Sequence, residues 1–478
     1  MVVASGDPGE PLQPNAVSTT LPYPADIDGN RVMHIDQLMN RFIDDYTSVA
    51  RRYKDAGQLV SITWVIHLPS LRGRSPTLDA AILALSTASL SRDQADPVML
   101  RNSTIAYGKA LAKLQRDLYS PKRWDQIETL VACLALILYQ VMGEYPGKED
   151  WMSHVKGISE LVRLRGPKSY SSGIDHVVFR GCRISLVMAA LCSVKSTFLE
   201  LQPWLEQPWG SAAKNSYDSL IDLMARLPSM LPRCAEISNL ESPDKRRDGR
   251  VALVYKCWSL EALFRDWYAN LAEHTRRLKR VNSTSLVFGE TNLHRAFPRS
   301  YEFTTLNAAH LHMMYWASLQ VLYNLLKLLY QALEGIETSY YWPAHPAALR
   351  CPDCFTVFDP TFSGESPRCT CGYMESQPSF DASSLPPLTE EHDPVQKATQ
   401  ICMAVPFCFV QDLKLLGPYY ALFPLKMAIG CFTGHLPATG RQLGWCYKVI
   451  DILESKGLCF SRSMLGMYEG RDLGGFAS

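Results

Sequence analysis

WDQIETLVACLALILYQVMGEYPGKEDWMSHVKGISELVRLRGP, residues Trp124 to Pro167, is the stretch whose reading decides the fold class of this chain. From Leu130 to Met142 it is apolar apart from Gln140, too short to cross a bilayer and without a polar face, so a helix buried on all sides is expected. Gly143 to Gly147 supply a turn, after which Trp151, Val155, Ile158 and Val162 recur at helical spacing with Leu161 alongside. Asp150 is suited to cap this second helix, because its carboxylate accepts from N–H groups that the first turn leaves unpaired. Arg165-Gly166-Pro167 ends it: a basic residue meets the negative end of the helix dipole, glycine takes φ > 0, and proline forbids continuation. The product is a helical hairpin with a hydrophobic hub and no catalytic motif.

Working outward from the hub, the same periodicity predicts helices on both sides. Upstream they fall near Ile35 to Tyr53, from about Thr77, and from Pro97 to Leu118, where Tyr107, Leu111, Leu114 and Leu118 form one stripe. Downstream, Asp175 to Leu199 reads as a helix with Ile184, Leu186, Val187, Leu191 and Val194 inward and Arg180 and Arg183 outward, stopped by Pro203 and Pro208. Further helices are expected at Ser216 to Arg226, Val251 to Arg280, Thr304 to Glu334, Val395 to Leu413, Tyr420 to Phe432 and Gly440 to Lys456, the last capped by Gly457. No alternating strand pattern of useful length and no repeat period emerges. The expected architecture is all-α, a multi-helix bundle over 31–339 and 395–478, with a Pro/Cys-rich loop insert at 340–394 and a disordered tail at 1–30.

With 478 residues, 47% of them hydrophobic, the chain can bury a large core. Its net charge of +1, from 48 Lys+Arg against 47 Asp+Glu, is not that of a chain that grips nucleic acid over its whole surface. Cys133, Cys192, Cys402 and Cys408 lie in apolar runs, where cysteine packs as a small hydrophobe and a reducing interior suits it better than a disulfide framework. There is neither a secretory hydrophobic region at the start nor an unbroken run of 18 or more apolar residues, so a soluble intracellular protein without a membrane role is expected.

Several blocks in order resemble the fungal-specific transcription factor domain, the regulatory region of fungal zinc-cluster transcription factors. They are Asp79-Ala80-Ala81-Ile82-Leu83-Ala84, then Tyr107-x2-Ala110-Leu111-x2-Leu114-Gln115, then the hub helix, then Trp151-x2-His154-x2-Gly157-x2-Glu160-Leu161-x3-Arg165-Gly166-Pro167. Ser196-Thr197-Phe198-Leu199, Trp204, Pro208-Trp209, Ile401-Cys402 and Phe423-Pro424-Leu425 follow. The order and spacing of the blocks, over about residues 31 to 465, carry the resemblance. It implies a nuclear, all-helical regulatory domain that controls genes, through a small-molecule effector, protein partners of the transcription machinery, or self-association. In the family such a domain follows a six-cysteine zinc cluster that reads DNA in the major groove. The first cysteine here is Cys133, so no direct DNA contact is expected from this chain. A regulator of a metabolic or secondary-metabolite gene cluster is the leading expectation; a helical protein–protein scaffold without a transcriptional role is the alternative.

Cys351-x2-Cys354-x14-Cys369-x-Cys371 is the metal-like constellation. Thiolates two apart on a tight turn share one zinc, and such a staple suits a module with no core of its own. A second pair of Cys-x-Cys form, set among prolines, equally fits a loop with incidental thiols. Lys245-Arg246-Arg247-Asp248-Gly249-Arg250 and Arg276-Arg277-Leu278-Lys279-Arg280 fit either nuclear import or, more commonly, a solvated loop and a solvated helix end. His154 is expected to bond a neighbouring helix, and His310 and His312 lack the spacing of a metalloprotease site. Gly-x-Ser-x-Gly, a phosphate-cradling glycine loop and His-Glu-x2-His are absent, so no enzyme is expected. Trp316, Met313, Met314 and Met403 are either core or the lining of an effector site, which would lie between the hub and the Thr304 to Glu334 helix.

Overall fold

A computed structural model describes residues 28–52, 62–94, 96–142, 150–282, 296–334, 349–350, 357–358, 384–410, 413, 416–456 and 458. Of the disordered tail expected at 1–30, residues 1–27 lie outside the described residues, while 28–30 are helical and open the first helix; the Gly143 to Gly147 turn, Gly457 and the four cysteines Cys351, Cys354, Cys369 and Cys371 also lie outside the described residues. The first part of the chain forms α1 (Asp28–Arg52), α2 (Thr63–Ile66), α3 (Leu68–Leu71), α4 (Pro76–Gln94), α5 (Pro97–Leu118), α6 (Ile127–Met142), α7 (Asp150–Arg165) and α8 (Gly173–Ser193). Next come α9 (Gln202–Glu206), α10 (Ser216–Met224), α11 (Met230–Ser238), α12 (Pro243–Ala269), α13 (Glu273–Arg276), β1 (Leu278–Asn282), β2 (Arg299–Phe303) and α14 (Leu306–Leu333). After β3 (Leu349–Arg350) and β4 (Val357–Phe358), the chain ends its described course with α15 (Pro394–Cys408), α16 (Leu416–Gly434) and α17 (Gly440–Ser455). The fold is all-α, and its buried apolar side chains form one continuous core.

The hub is where the apolar run places it. Every side chain from Leu130 to Val141 is buried, including that of Gln140, and α6 packs against α4, α5, α7 and α8. Alanines at 81, 84 and 88 of α4 and at 106 and 110 of α5 are buried, and these short side chains let the two axes come close. Asp96 caps α5 by accepting from Val98 N at 2.8 Å and Met99 N at 3.2 Å, with Pro97 in the first turn. At the other end of α5 the buried Asp117 accepts from Thr77 Oγ1 of α4 at 2.5 Å and from Arg123 at 3.0 Å. Gly166 takes φ +76° and so ends α7 as its position implies.

The second half is organised around a different helix. α14 reads as amphipathic, yet 24 of its 28 residues are buried, because α10, α12, α13, α15, α16 and β2 surround it. Thr305 caps it, its Oγ1 accepting from Ala308 N at 3.0 Å. The bend from α15 into α16 needs a glycine: a Cβ on Gly417 would sit 2.1 Å from the Cys408 carbonyl oxygen and 2.9 Å from the Leu413 Cβ.

Several boundaries differ from the periodicity: α1 starts at Asp28 ahead of Ile35, α15 ends at Cys408 short of Leu413, α16 starts at Leu416 ahead of Tyr420, and three larger differences have a local cause. α8 ends at Ser193, not Leu199, because Val194 turns left-handed at φ 52° and Lys195 N closes the end on Ala190 O at 3.0 Å. Pro203 opens the short helix α9 where a stop was expected, since first-turn N–H groups have no intrahelical partner to lose. The single helix expected over Val251 to Arg280 is instead α12, α13 and a strand. β1 pairs antiparallel with β2 in the register Leu278↔Phe303 and Arg280↔Tyr301. Five-residue strands are too short for period-two alternation to stand out against a helical background. Residues 349–350 and 357–358, in the stretch expected to be irregular, also pair antiparallel.

α8 is long and apolar enough to cross a membrane by length and composition, but most of it is buried inside the bundle. It also carries the largest departure from the expected faces. Arg183, expected outward, is 1% exposed. Its guanidinium meets Asp222 and, at 3.5 Å, Asp218, while Arg180 holds Asp218 through Nε at 3.1 Å. Lys214 pairs with Asp222 from the far side. Trp209 lies under both cations, 4.6 Å from Arg183 and 4.2 Å from Lys214. Phe179, Trp204, Phe198 and Tyr170 continue the box, with Phe198 and Trp204 centroids 4.5 Å apart. Helical period alone counted the two arginines as polar; α10 brings the acids that make burial tolerable.

Candidate functional site

Besides the arginine box, two polar constellations stand out, one half-buried between helices and one opening to the surface, and the first is structural. Tyr107 of α5 stacks on Tyr139 of α6 with centroids 4.4 Å apart. Gln140 Nε2 donates to the Tyr107 hydroxyl at 2.8 Å, and His154 Nε2 of α7 lies 3.2 Å from the same oxygen. One phenol thus ties three helices together, and His154 bonds a neighbouring helix as its position suggested. Tyr107→Phe is expected to lower unfolding free energy by ~0.5–1.5 kcal/mol, read by urea denaturation, because the amide and imidazole lose a shared partner in a half-buried setting.

The second is a cavity of about 460 Å³, within the range of small-molecule sites. α12 supplies Glu261, Arg265 and Tyr268, the β1–β2 ribbon supplies Leu278, Arg280 and Tyr301, and α14 supplies Tyr315, Trp316, Leu319 and Tyr323. A 3₁₀ turn at Glu390–His392 and the start of α15 close it with Glu391, His392, Lys397 and Gln400. The effector site was expected between α14 and the hub. α14 does form one wall, but no residue of α6 or α7 lines the cavity, and its character is aromatic and charged. Of the four residues singled out beforehand, Trp316 lines it, Met313 and Met314 are fully packed in the core, and Met403 packs against the core from a half-buried position.

The buried carboxylate of Glu261 organises the floor. Arg265 Nη2 donates to Glu261 Oε1 at 2.8 Å and the Tyr323 hydroxyl donates to the same oxygen at 3.2 Å. Burial, with the Glu261 charge beside it, pushes the Tyr323 phenol well above its ordinary range, so it remains a donor. Tyr268 stacks on Tyr315 with centroids 4.7 Å apart and 13° between planes, while its hydroxyl meets His312 Nε2 at 3.2 Å. His392 stands edge-on to Trp258 at 4.9 Å and Tyr323 at 5.2 Å; its Nδ1 accepts from Thr389 N at 3.1 Å. Burial lowers the His392 pKa, which leaves the ring neutral at pH 7. Burial likewise lowers the Lys397 pKa, although Glu391, Asp393 and Glu261 pull it the other way. Gln400 Oε1 is buried without a hydrogen-bond partner, a condition that costs ~1–3 kcal/mol when nothing fills it.

The lining holds no Ser, Thr or Cys; its ionisable groups are Glu261, Glu391, Arg265, Arg280, Lys397, His392 and the tyrosine phenols, and His392 Nδ1 is engaged by the Thr389 cap. Among the described residues no three His, Cys, Asp or Glu side chains converge as a metal site.

A family model described as the fungal specific transcription factor domain matches residues 39–339. The chain belongs to this family. The match runs from within α1 to the end of α14 and beyond, taking in the hub, the arginine box and three of the cavity's walls, and it ends one residue before the Pro/Cys-rich stretch. An uncharacterized protein of Emericella nidulans is 29% identical over 222 residues, so the alignment covers 44% of this chain and 47% of that relative. No solved structure matches the chain. Within the domain these blocks acquire physical roles: Tyr107 and His154 share a hydrogen bond, Trp209 covers the buried Arg183 while Trp204 packs on Phe179 beside it, and Thr197 caps the turn that presents Phe198.

The basic clusters are largely engaged within the domain. Lys245 to Arg250, expected in a loop, occupies the first turns of α12, where Arg246 donates to Leu240 O at 2.7 Å and Arg250 to Ala332 O at 3.0 Å. Arg276 donates to Ala269 O at 3.0 Å, and Arg277 pairs with Glu273 at 3.1 Å. Glu261, Arg265, Tyr323, His392, Lys397 and Gln400 were not foreseen. A signal existed for the first two: Glu261, Arg265 and Tyr268 follow i, i+4, i+7 along α12 and so share a face.

Proposed function

We propose that this chain is a transcriptional regulator acting in the nucleus on a specific pathway, metabolic or of secondary metabolism, through contacts of its helical domain with the transcription machinery or with a second copy of itself. Residues 31–339 and 395–478 would act as one unit, and the cavity beside α14 would receive an effector. The observation that carries this reading is the family match over residues 39–339. Aromatic faces set beside paired charges in a cavity of this size suit a small-molecule effector.

Fusion of the chain to a heterologous DNA-binding domain tests it. Reporter output is expected to change, up or down, relative to the DNA-binding domain alone, and a fluorescently tagged chain is expected in the nucleus. An unchanged reporter together with exclusively cytosolic fluorescence would leave the scaffold reading in its place. For the four cysteines Cys351, Cys354, Cys369 and Cys371 we propose a structural zinc, and elemental analysis of purified folded chain is expected to find one zinc per molecule. Its absence in a folded sample removes that module.

A further inference from the structure

The cavity between α12, the ribbon, α14 and α15 has a charge and hydrogen-bond inventory that its own residues do not close. Arg265 is taken by Glu261 at 2.8 Å. Lys397, half-buried, makes no ion pair among the described residues; its Nζ donates a long hydrogen bond to Gln396 Oε1 at 3.4 Å and lies 5.8 Å from the Tyr323 ring centre. Arg280, exposed at the mouth, is likewise without an ion pair among the described residues and stands 5.9 Å over the Tyr301 ring. With His392 neutral, the three cations of the lining face its two carboxylates, Glu261 and Glu391, so the lining itself carries one positive charge in excess, while Asp393 acts on Lys397 from outside it. Buried Gln400 Oε1 is an acceptor without a donor. Between these polar groups stand flat faces: the Tyr268–Tyr315 stack, and Tyr301 against Trp316 at 5.5 Å.

A dianion would overcharge such a wall and a cation would meet it repulsively. A neutral ligand would leave Lys397 with the long Gln396 hydrogen bond and carboxylates beyond ion-pair distance, in a setting where burial disfavours its charge. A flat apolar body with one negative group satisfies both the rings and the surplus charge, because aromatic faces offset-stack and an ammonium or guanidinium gains most from a carboxylate out of bulk water. We propose that this cavity binds a small aromatic monocarboxylic acid, its carboxylate held by Lys397 and Arg280, its ring against the Tyr315 and Trp316 faces, and a ligand hydroxyl or N–H donating to Gln400 Oε1. About 460 Å³ accommodates one or two rings. That the acid acts as the effector of a regulator rests on the reading given above; its binding does not.

Calorimetry and thermal-shift measurements on the full chain test the site with benzoate, 4-hydroxybenzoate and indole-3-acetate, each beside its neutral amide. Saturable binding of one acid per chain is expected, with the amide weaker by about ten- to hundredfold. Lys397→Gln and Arg280→Gln are each expected to weaken the acid by roughly tenfold and leave its amide unaffected. Gln400→Leu should abolish any preference for the hydroxylated or N–H ring over benzoate, and Lys448→Gln on α17, an exposed pair with Asp451, should change nothing. Variants are compared at matched far-UV circular dichroism. No saturable binding of any of the three acids by folded wild type, equal binding of acid and amide, or wild-type affinity in the Lys397 and Arg280 variants would each overturn the proposal. Acid binding with a silent reporter and exclusively cytosolic fluorescence would sink the regulator reading and leave the site standing; a responsive reporter without acid binding does the reverse.

Discussion

Asp218→Ala is expected to lower the unfolding free energy by ~3–5 kcal/mol, the range for removing one partner from a buried ion pair. Asp218 and Arg183 are each 1% exposed, and Asp218 also holds Arg180 at 3.1 Å through Nε. The variant therefore leaves Arg180, Arg183 and Lys214 around Asp222 alone, with the Arg183 guanidinium still enclosed by Phe179 and Trp209. Arg183 Nε already lacks a partner, so the arginine has no spare hydrogen bond to draw on. Urea unfolding followed by tryptophan fluorescence at pH 7 measures the loss directly, since Trp204 and Trp209 sit in the affected box. Arg247→Ala, which removes an exposed pair with Asp244 at 3.1 Å, is the control and should stay within ~0.5 kcal/mol. A loss below about 1 kcal/mol for Asp218→Ala would show that the cluster is solvated and the box does not exclude water.

Acid should destabilise the domain through His310, and His310→Phe should remove that part of the sensitivity. The ring is 5% exposed near the start of α14, stacked on Tyr420 with centroids 4.1 Å apart and near Tyr217 at 5.8 Å. Burial lowers its pKa to about 3 from 6.5. Between those values the unfolded chain binds a proton that the folded chain does not, so stability rises with pH across the window. Stability is intact above about pH 6.5 and falls on acidification at ~1.4 kcal/mol per pH unit, reaching ~2 kcal/mol by pH 5 from this group alone. Burial lowers His312 in the same direction, so the wild type has further acid sensitivity that the variant keeps. The decisive quantity is the difference between wild type and His310→Phe in unfolding free energy, measured from pH 7 to pH 5. A difference that does not change with pH would mean that the folded protein protonates the ring.

The elements most legible in the chain are those whose burial is complete on every side or confined to one clear stripe. α5 spans Pro97 to Leu118 as its periodicity implies, because Asp96 and Pro97 mark its start in the local sequence. α6 and α7 are equally legible, and Gly166 at φ +76° ends α7 where a glycine is needed. The β1–β2 ribbon was not legible, since its partners are 17 or more residues apart and each strand is only five residues long. The candidate site was legible only through Trp316 and through the choice of α14 as a wall. Lys397 and Gln400 lie far along the chain from Glu261, and nothing local to either segment marks the other.

Composition and period by themselves determined an all-helical chain, the buried character of α6, and the ordered blocks that place it in its family. Those are consequences of side chains within one or two helical turns of each other, where spacing alone sets the face. Tertiary structure decided the fate of the charges: whether Arg183 is solvated or enclosed, and whether Lys397 meets an acid or an empty aromatic cavity. A charge is tolerated in the interior only by what other segments bring to it, and Coulomb and hydrogen-bond partners act over a few ångströms of space regardless of their distance along the chain.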